Sequence, residues 1–323
     1  MATRYSTDVH THLAPVLAHP VDGVEQDRLG RLVVDGQRVG PAGLYELDWL
    51  AWQLVENGVD RAWVSAPPPL YRQHLDPAQT RCWVRALDNG LRARLDGTQN
   101  LDRLTYLPFD QPVVALELVE DVDDAVGWTA AAGGGSIALD DPALEPVWSA
   151  LQARHRPLLL HPGESPDPRL RRHYLSNLLG NPVETGLAAA QLVLGGVLTR
   201  HPDLAVVLVH CGGVVPALVG RWARGVATGR PGIAPDTADP TTTVRRLWSD
   251  CLAHRPELVD LAIATFGAEH LLLGSDYPFP MGLDDPFEAL AHLPADLRSR
   301  IAGNAAALLP EPAATPRTPE ETT

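Results

Sequence analysis

Two histidines lie near the start of the chain, in the sequence Asp8-Val9-His10-Thr11-His12. Residues i and i+2 of an extended strand point to the same side, so His10 and His12 can approach one ion together. Imidazole is a common ligand of zinc and other transition metals. Such pairs also occur among surface and core histidines, so this pair alone indicates a metal site only weakly.

Three further polar residues each follow an apolar run, namely His161, His210 and Asp276. Taken singly, a histidine at such a position is more often a structural residue at the rim of a barrel, and the aspartate could be a turn or helix cap. Together with His10 and His12 they supply neutral imidazoles and one carboxylate. This donor set suits a divalent ion with one position open to water, so a mononuclear metal site is predicted if the fold brings these residues together.

The apolar pattern predicts such a fold, because short β-like runs alternate with helical patterns as in parallel α/β proteins. Eight strands are predicted, over Tyr5–Val9, Arg61–Ser65, Leu104–Pro108, Ser136–Leu139, Pro157–Leu160, Ala205–Val209, Leu247–Cys251 and His270–Gly274. Eight strands with intervening helices indicate an α/β fold of the (β/α)8 barrel type, whose catalytic residues gather at the carboxyl ends of the strands. The metal-site candidates fall at the ends of the first, fifth, sixth and eighth of these strands.

Helical patterns lie between the strands, over Leu44–Asn57, Pro77–Leu95, Leu144–Arg154, Val183–Thr199, Pro256–Phe266 and Pro286–His292. The segment 13–43 is long for a loop and contains two short Val/Leu runs, so it is predicted to be a small β insertion over the site. Residues 1–309 are predicted to form one barrel domain. The tail 310–323, rich in Pro, Thr and Glu, is predicted to be disordered.

Composition narrows the function classes. The 323 residues carry 26 basic and 40 acidic side chains, a net charge of −14, which argues against binding to nucleic-acid phosphates. Every basic residue is arginine, which excludes lysine Schiff bases and a carboxylated lysine that bridges two metals. No stretch has the length and apolar character of a membrane helix or a secretory signal. Three widely spaced cysteines favour a reducing compartment, so a cytoplasmic location is predicted.

Four motifs together resemble the amidohydrolase superfamily. They are His-Thr-His at 10–12, His-Pro at 161–162, His-Cys-Gly-Gly at 210–213 and Gly-Ser-Asp-Tyr-Pro-Phe-Pro at 274–280. The last is the most discriminating. It most resembles the branch of 2-amino-3-carboxymuconate-6-semialdehyde decarboxylase and related decarboxylases of aromatic acids, and the resemblance runs from residue 7 to around residue 309.

The resemblance implies a role for each of these residues. One divalent ion, Zn²⁺ with Mn²⁺ or Co²⁺ as alternatives, would be held by His10, His12, His161 and Asp276. His210 would be the acid/base group beside the metal rather than a ligand. The absence of lysine agrees with one metal rather than two.

Two arginines of this branch recognise the substrate carboxylate, and Arg38 and Arg221 match their positions. Arg221 would act from a neighbouring subunit, which implies a homodimer. Without the resemblance, Arg38 reads as a solvated loop charge and Arg221 as part of a surface ion pair. Phe279 would line the pocket or pack in the core, and His254 would line the site or be structural.

Two departures from the family pattern leave the substrate open. The tryptophan that follows the His-Pro pair in the family is Gly163 here, and the family's His-Gly-Gly-Gly becomes His210-Cys211-Gly212-Gly213. Loss of the aromatic ring predicts a wider or differently shaped pocket.

The function implied by the resemblance is that of a metal-dependent decarboxylase acting on a carboxylated aromatic or muconate-semialdehyde-like small molecule. The same donor set can also support a hydrolase of aromatic amides or esters, or a ring-closing cyclase of a specialised biosynthetic pathway. A barrel that only binds a ligand is less favoured, because all the metal candidates and His210 are present together.

Overall fold

Eight strands form one parallel barrel sheet, which confirms the predicted (β/α)8 class. The computed structural model describes residues 5–234 and 237–310. In chain order the strands are β1 (Thr7–His12), β2 (Val24–Gln26), β3 (Leu32–Val34), β4 (Gln37–Arg38), β5 (Arg61–Ser65), β6 (Leu101–Leu107), β7 (Gly127–Ala132), β8 (Leu158–Pro162), β9 (Val206–Leu208), β10 (Trp248–Asp250) and β11 (Leu271–Leu272). The barrel order is β1-β5-β6-β7-β8-β9-β10-β11. Backbone bonds from Val9 N to Leu273 O (2.9 Å) and from His12 N to Tyr277 O (2.8 Å) close β1 against the segment of β11.

Helices alternate with the barrel strands. They are α1 (Leu47–Glu56), α2 (Pro77–Leu95), α3 (Pro112–Asp121), α4 (Glu145–Arg154), α5 (Asn181–Leu194), α6 (Val197–Arg200), α7 (Val215–Ala227), α8 (Pro240–Thr243), α9 (Pro256–Phe266) and α10 (Ala295–Gly303). Helix α2 has its predicted bounds because Asp76 caps it, accepting from the backbone N–H of Ala78 and Gln79. The predicted helix Val183–Thr199 is divided after Leu194, where Gly196 adopts a left-handed φ of 74°.

The fourth predicted strand is wrong. The observed strand is β7, and the predicted segment Ser136–Leu139 is irregular. The sequence of β7 ends in Ala130-Ala131-Ala132, and small side chains give little β signal when they are read without their neighbours. Gly133 and Gly134 both take positive φ and turn the chain out of the sheet before Ser136.

Four helices were not predicted, α3, α7, α8 and α10, and the predicted helix Pro286–His292 is only a short 3-10 turn at Glu288–Leu290. The first predicted strand, Tyr5–Val9, is displaced, since β1 extends through His12. This difference places both N-terminal histidines inside the strand. The predicted tail 310–323 lies outside the described residues apart from Pro310.

The segment 13–43 contains an antiparallel three-stranded sheet of β2, β3 and β4. Leu32 and Val34 on β3 are buried in the main core. Asp35 in the β3–β4 turn accepts from the Arg72 guanidinium at 2.6 and 2.9 Å. The insertion is therefore joined to the loop that follows β5.

Two apolar clusters stabilise the barrel. One fills its interior, with Val9, Trp63, Leu104, Leu159 and Val207 among its members, and the other lies between strands and helices. Burial of this apolar surface is the main stabilising contribution and leaves the carboxyl ends of the strands for polar residues. Within the described part of the chain, no helix has the length and apolar character needed to cross a membrane.

Candidate metal centre

Four imidazole rings and one carboxylate meet at the carboxyl end of the barrel. His10 and His12 lie on β1, His161 lies on β8, His210 follows β9, and Asp276 lies in the loop after β11. The Oδ1 atom of Asp276 is 3.2 Å from His12 Nε2, 3.3 Å from His10 Nε2 and 3.9 Å from His161 Nε2. The fold thus brings together the residues that the sequence places at separate strand ends.

The hydrogen-bond partner of Nδ1, on the side of each ring away from Asp276, determines which ring nitrogen carries the proton. His10 Nδ1 is 2.8 Å from Asp250 Oδ2, and His161 Nδ1 is 3.0 Å from the Pro162 carbonyl oxygen. A carboxylate and a carbonyl oxygen can only accept, so Nδ1 must donate in both cases. The Nε2 atoms of His10 and His161 therefore direct lone pairs toward Asp276.

His12 follows the same rule through a hydroxyl group. Its Nδ1 is 2.9 Å from Ser65 Oγ, and this hydroxyl donates its own proton to the Thr11 carbonyl oxygen at 3.3 Å. Ser65 is then an acceptor for His12 Nδ1–H. A third Nε2 lone pair consequently points to the carboxylate.

All four atoms that face one another here, the three Nε2 nitrogens and Asp276 Oδ1, are hydrogen-bond acceptors. The three Nε2 atoms and Asp276 Oδ1 are buried and have no hydrogen-bond partner within residues 5–234 and 237–310. Buried acceptors that face one another without a donor are costly. A divalent cation among them would satisfy all four atoms, and three imidazole nitrogens with one carboxylate oxygen match a tetrahedral or five-coordinate transition-metal site. The residues present therefore fit a metal ion.

His210 differs from the other three histidines. Its Nε2 is 3.7 Å from the second carboxylate oxygen of Asp276, Oδ2. Burial alone lowers the pKa of His210, but the hydrogen bond and charge of Asp276 and the charge of Asp250 raise that pKa overall. By proximity alone His210 also qualifies as a ligand, because one ligating atom each from His10, His161, His210 and Asp276 lies within 4.8 Å of the others.

The other three imidazoles have lowered pKa values. Burial lowers the pKa of His10 and of His12, and it lowers the pKa of His161 to about 4. Burial works in the opposite sense on Asp276, but the surrounding histidines hold the pKa of that carboxyl well below its usual range. Near neutral pH the chain therefore presents uncharged imidazoles and an ionised carboxylate, the protonation states that metal binding requires.

The lowered pKa values predict a pH profile for metal binding. Protons compete with the metal for Nε2 only where the imidazole can be protonated, so a lowered pKa moves the competition to lower pH. We expect the affinity of the metal-free chain for Zn²⁺ to hold as the pH falls through 6.5, the ordinary imidazole value, and to drop toward pH 4. Competition with a chromophoric chelator between pH 7.5 and pH 4.5 measures this. A steep loss centred on pH 6.5 would show that burial does not shift these groups.

Backbone strain accompanies the two residues that approach from loops. His210 and Asp276 adopt positive φ values of 57° and 58°, which non-glycine residues rarely take. The backbone N–H of Asp276 donates to the His10 carbonyl oxygen at 2.8 Å and fixes its position beside β1. Gly274 permits this convergence, because a Cβ there would lie 2.7 Å from the Cβ of Asp250.

Asp250, at the end of β10, is a functional residue that the sequence analysis missed. It is fully buried and accepts from His10 Nδ1 and from the backbone N–H groups of His210, Cys211 and Leu252, at 2.7–3.1 Å. One carboxylate thus orients a metal-ligand candidate and the loop that carries His210. The signal was available, because Asp250 is the last residue but one of the predicted strand Leu247–Cys251, and the other site residues also lie close to predicted strand ends.

Asp250→Asn is expected to weaken metal binding by about 10–100-fold, the range for residues that orient a metal ligand. All four hydrogen-bond partners of this carboxylate are donors. The amide NH₂ of asparagine is also a donor, so it must face one of them without forming a hydrogen bond, which should destabilise the fold by about 1–3 kcal/mol. Metal titration and thermal unfolding of the metal-free chain measure the two effects.

Asp8→Asn is the matched control. Asp8 is also buried, but burial raises its pKa to about 7, so a neutral side chain is already well tolerated there. Equal effects of the two substitutions would argue against a specific orienting role for Asp250.

The remaining predicted site residues lie at varying distances from the cluster. The Phe279 ring centroid is 5.3 Å from that of His12, so Phe279 borders the site. The structure does not bring the other three to the cluster. Arg38 is on β4, 67% exposed, and pairs with Asp27 at 3.3 Å. Arg221 is exposed on α7, and His254 is exposed in the loop after β10.

Comparison with known proteins identifies the family. A family model described as amidohydrolase matches residues 101–310, and the chain belongs to this family. A 2-amino-3-carboxymuconate-6-semialdehyde decarboxylase of Dictyostelium discoideum is 33% identical over 147 residues, which is 45% of this chain and 41% of that protein. The chain therefore spans less than half the length of this relative. The predicted resemblance to this superfamily and branch is confirmed.

Solved structures share the fold. A 5-carboxyvanillate decarboxylase from Sphingomonas paucimobilis superposes with a TM-score of 0.78 at 22% identity, covering 95% of this chain and 99% of that one. A dihydroxybenzoic acid decarboxylase from Polaromonas sp. JS666, with bound manganese and the inhibitor 2-nitroresorcinol, gives a TM-score of 0.75 at 19% identity, with coverages of 95% and 97%. At these identities the likeness establishes the common barrel architecture.

Proposed function

We propose that this chain is a divalent-metal-dependent decarboxylase that acts on a carboxylated aromatic or muconate-semialdehyde-like small molecule. The observation that carries the proposal is the arrangement of three Nε2 lone pairs and one carboxylate beside a histidine of raised pKa. Membership in the amidohydrolase family and a relative named as a decarboxylase support the choice of reaction.

The proposed ligands are the three histidines whose Nδ1 atoms donate elsewhere, His10, His12 and His161, together with Asp276. When bound, a divalent ion supplies a Lewis acid at this point. Zn²⁺ suits the nitrogen-rich donor set, and Mn²⁺ or Co²⁺ is also compatible with it. The manganese bound in the Polaromonas decarboxylase makes Mn²⁺ the first alternative to load.

His210 is the proposed proton donor. Its raised pKa keeps a proton available near neutral pH, and its Nε2 faces Asp276 Oδ2 at 3.7 Å. His210 would deliver this proton to the carbon that bears the substrate carboxylate. The bond between that carbon and the carboxylate then breaks, its electron pair returns to the conjugated system, and CO₂ leaves. Water reprotonates His210 for the next cycle, so no redox partner is needed.

The substrate carboxylate is proposed to bind arginine, as the family resemblance predicts for Arg38 and Arg221. Among the described residues Arg38 is mostly exposed, and its one ion pair is a weak surface pair with Asp27. Exchange of Asp27 for a substrate carboxylate would therefore cost little. Arg221 would have to come from a second copy of the chain.

A homodimer is proposed on the same basis. Helix α7, which carries Arg221, packs against α5. Apolar side chains of these two helices and of the turn before α5 are exposed, namely Leu178, Leu179, Val183, Leu187 and Leu218. Exposed apolar patches of this kind are typical of protein interfaces. Light scattering of the purified chain tests it, with an expected mass of twice 34.8 kDa.

The test of the function is CO₂ release by the metal-loaded chain. The panel comprises amino- and hydroxy-substituted aromatic acids and muconate semialdehydes, with metal-free protein as the control. We expect release from at least one member that depends on the added metal. A chain that holds one metal ion yet releases no CO₂ from any member contradicts the proposal and favours hydrolysis or ring closure of the related esters and amides.

A further inference from the structure

Two tyrosines lie stacked next to the metal centre and are not used in the proposed chemistry. Tyr106 is on β6 and Tyr71 lies in the loop after β5, with ring centroids 4.4 Å apart and planes 6° from parallel. They are 3% and 4% exposed. Neither hydroxyl oxygen has a hydrogen-bond partner in the part of the chain that the structure describes.

The register of the barrel shows where Tyr106 points. Tyr106 is paired with Thr129 on β7, and Thr129 is paired with Leu159 on β8. Laterally paired residues of a sheet point to the same face, and Leu159 belongs to the cluster inside the barrel. Tyr106 and Thr129 therefore point into the barrel, two residues along the strands from the level of His161.

Thr129 and Asp110 extend the set of buried polar groups. Thr129 is fully buried, and its hydroxyl oxygen has no hydrogen-bond partner among the described residues. Both carboxylate oxygens of Asp110, which follows β6, are likewise buried without a partner there. Burial raises the pKa of Asp110 to about 6. Burial raises the pKa of Tyr71, the neighbouring Thr129 hydroxyl lowers it and the charge of Asp276 raises it, which agrees with Tyr71 lying beside Thr129 and facing the metal centre.

A buried polar group without a partner destabilises the fold, and native proteins contain few of them. Folding alone gives no reason to collect four such groups on one side of the barrel mouth. A ligand atom that forms hydrogen bonds with these groups would explain why they lie together, because the desolvation free energy lost in the free chain is then regained on binding.

We propose that Tyr71, Tyr106 and Thr129 form a polar subsite that binds an uncharged oxygen substituent, a phenolic hydroxyl or a carbonyl, of the substrate. The inference rests on the proposed function in one respect, since it places the reacting end of the substrate at the metal centre. The opposite edge of the ring would then meet the three hydroxyl groups.

The charges around the subsite favour an uncharged substituent over a second carboxylate. Hydroxyl groups both donate and accept, so they suit a phenol or a carbonyl equally. A second carboxylate on the substrate would face Asp110 with no arginine bonded to any of these four side chains in the described ranges. Desolvating it there would be unfavourable. The preferred substrate is therefore a hydroxylated or oxo-substituted monocarboxylic acid rather than a dicarboxylic acid.

Equilibrium binding to the metal-loaded chain tests the proposal without requiring turnover. The probes are benzoate, 3-hydroxybenzoate, 4-hydroxybenzoate, isophthalate and terephthalate, and the variants are Tyr71→Phe, Tyr106→Phe and Thr129→Val. In the wild type we expect one hydroxybenzoate to bind about tenfold tighter than benzoate, the effect of one well-placed hydrogen bond. Isophthalate and terephthalate carry a second carboxylate at the same ring positions as these hydroxyl groups and should bind no tighter than benzoate. In at least one tyrosine variant this preference should fall to within about twofold.

Thermal unfolding of the ligand-free chain separates a binding role from a structural one. A hydroxyl without a partner adds nothing to folding, so Tyr71→Phe and Tyr106→Phe should leave the unfolding midpoint unchanged or raise it. The matched control is Tyr45→Phe, which should lower the midpoint, because Tyr45 donates to the Val39 carbonyl and accepts from Leu32 N–H.

Failure of this inference is distinguishable from failure of the proposed decarboxylation. A wild type that shows no preference for either hydroxybenzoate, or that binds none of the probes, overturns the subsite even if CO₂ is released from another acid. A preference that survives all three substitutions, with lowered unfolding midpoints, also overturns it and assigns the hydroxyls to folding. A preference that the tyrosine variants lose supports the subsite whether or not the bound acid is decarboxylated.

Discussion

Replacing His210 with glutamine is expected to lower kcat by about 10²–10⁴-fold, the contribution typical of a general acid or base. Glutamine keeps a polar group at this position but cannot deliver a proton. The metal content should stay at the wild-type level, because His210 Nε2 faces Asp276 Oδ2 while the other three imidazoles face Oδ1. Steady-state CO₂ release and elemental analysis of the same preparation measure both quantities.

The matched control for this substitution is His292→Gln. His292 pairs with Asp260 at the protein surface, 3.0 Å away and remote from the cluster in sequence and fold, so kcat should be unchanged. Loss of the metal from the His210 variant would contradict the assignment. It would show that His210 is a ligand, as the 4.8 Å grouping of His10, His161, His210 and Asp276 also allows.

The sequence predicts this centre well because its residues obey a local rule. Each one lies at or near the end of a barrel strand, and strand ends can be read from apolar runs followed by a polar residue. His10 and His12 are a strand pair in both the prediction and the structure, although β1 is displaced toward them. The parallel barrel then brings residues of distant sequence to one end.

Contacts between residues on different strands are much harder to predict from the sequence. The contact between Asp250 and His10 joins residues 240 positions apart, and no periodicity in either segment reports it. Tyr106 and Thr129 occupy strand positions that also suit core packing. Only when the register is known can their hydroxyl groups be recognised as lacking a hydrogen-bond partner among the described residues. Strand β7, whose alanines give little β signal, shows the same limit at the level of an element.

The arginines illustrate a third kind of limit. The family resemblance places Arg38 and Arg221 at the substrate, but the folded monomer has one on an exposed edge of the insertion sheet and the other on the outside of α7. A role that depends on a second subunit or on movement of an insertion is not encoded in a single strand or helix.

Asp276→Asn is expected to have the second large effect, a loss of metal affinity greater than about 100-fold, the upper limit for residues that only orient a ligand. Asp276 Oδ1 is the one anionic atom toward which three Nε2 lone pairs converge. An amide there is neutral, and if its NH₂ group turns to the imidazoles it donates to the same lone pairs that a metal would use. Activity should be lost together with the metal.

Unfolding with and without metal measures this effect as a free energy. At a Zn²⁺ concentration 100 times the wild-type Kd, the metal should stabilise the wild type by about 2.7 kcal/mol. A 100-fold weaker variant at the same concentration should gain no more than about 0.4 kcal/mol. Asp260→Asn, at the surface beside His292, is the control and should keep the full gain.

The comparison of Asp276→Asn with Asp250→Asn tests the lone-pair argument itself. Both substitutions exchange a buried carboxylate for an amide near His10, but only Asp276 lies on the Nε2 side of the rings, whereas Asp250 lies on the Nδ1 side. If the metal is held by Nε2, the loss of affinity must be larger for Asp276. The reverse order would mean that the tautomers are exchanged and that the cation lies on the Asp250 side of His10.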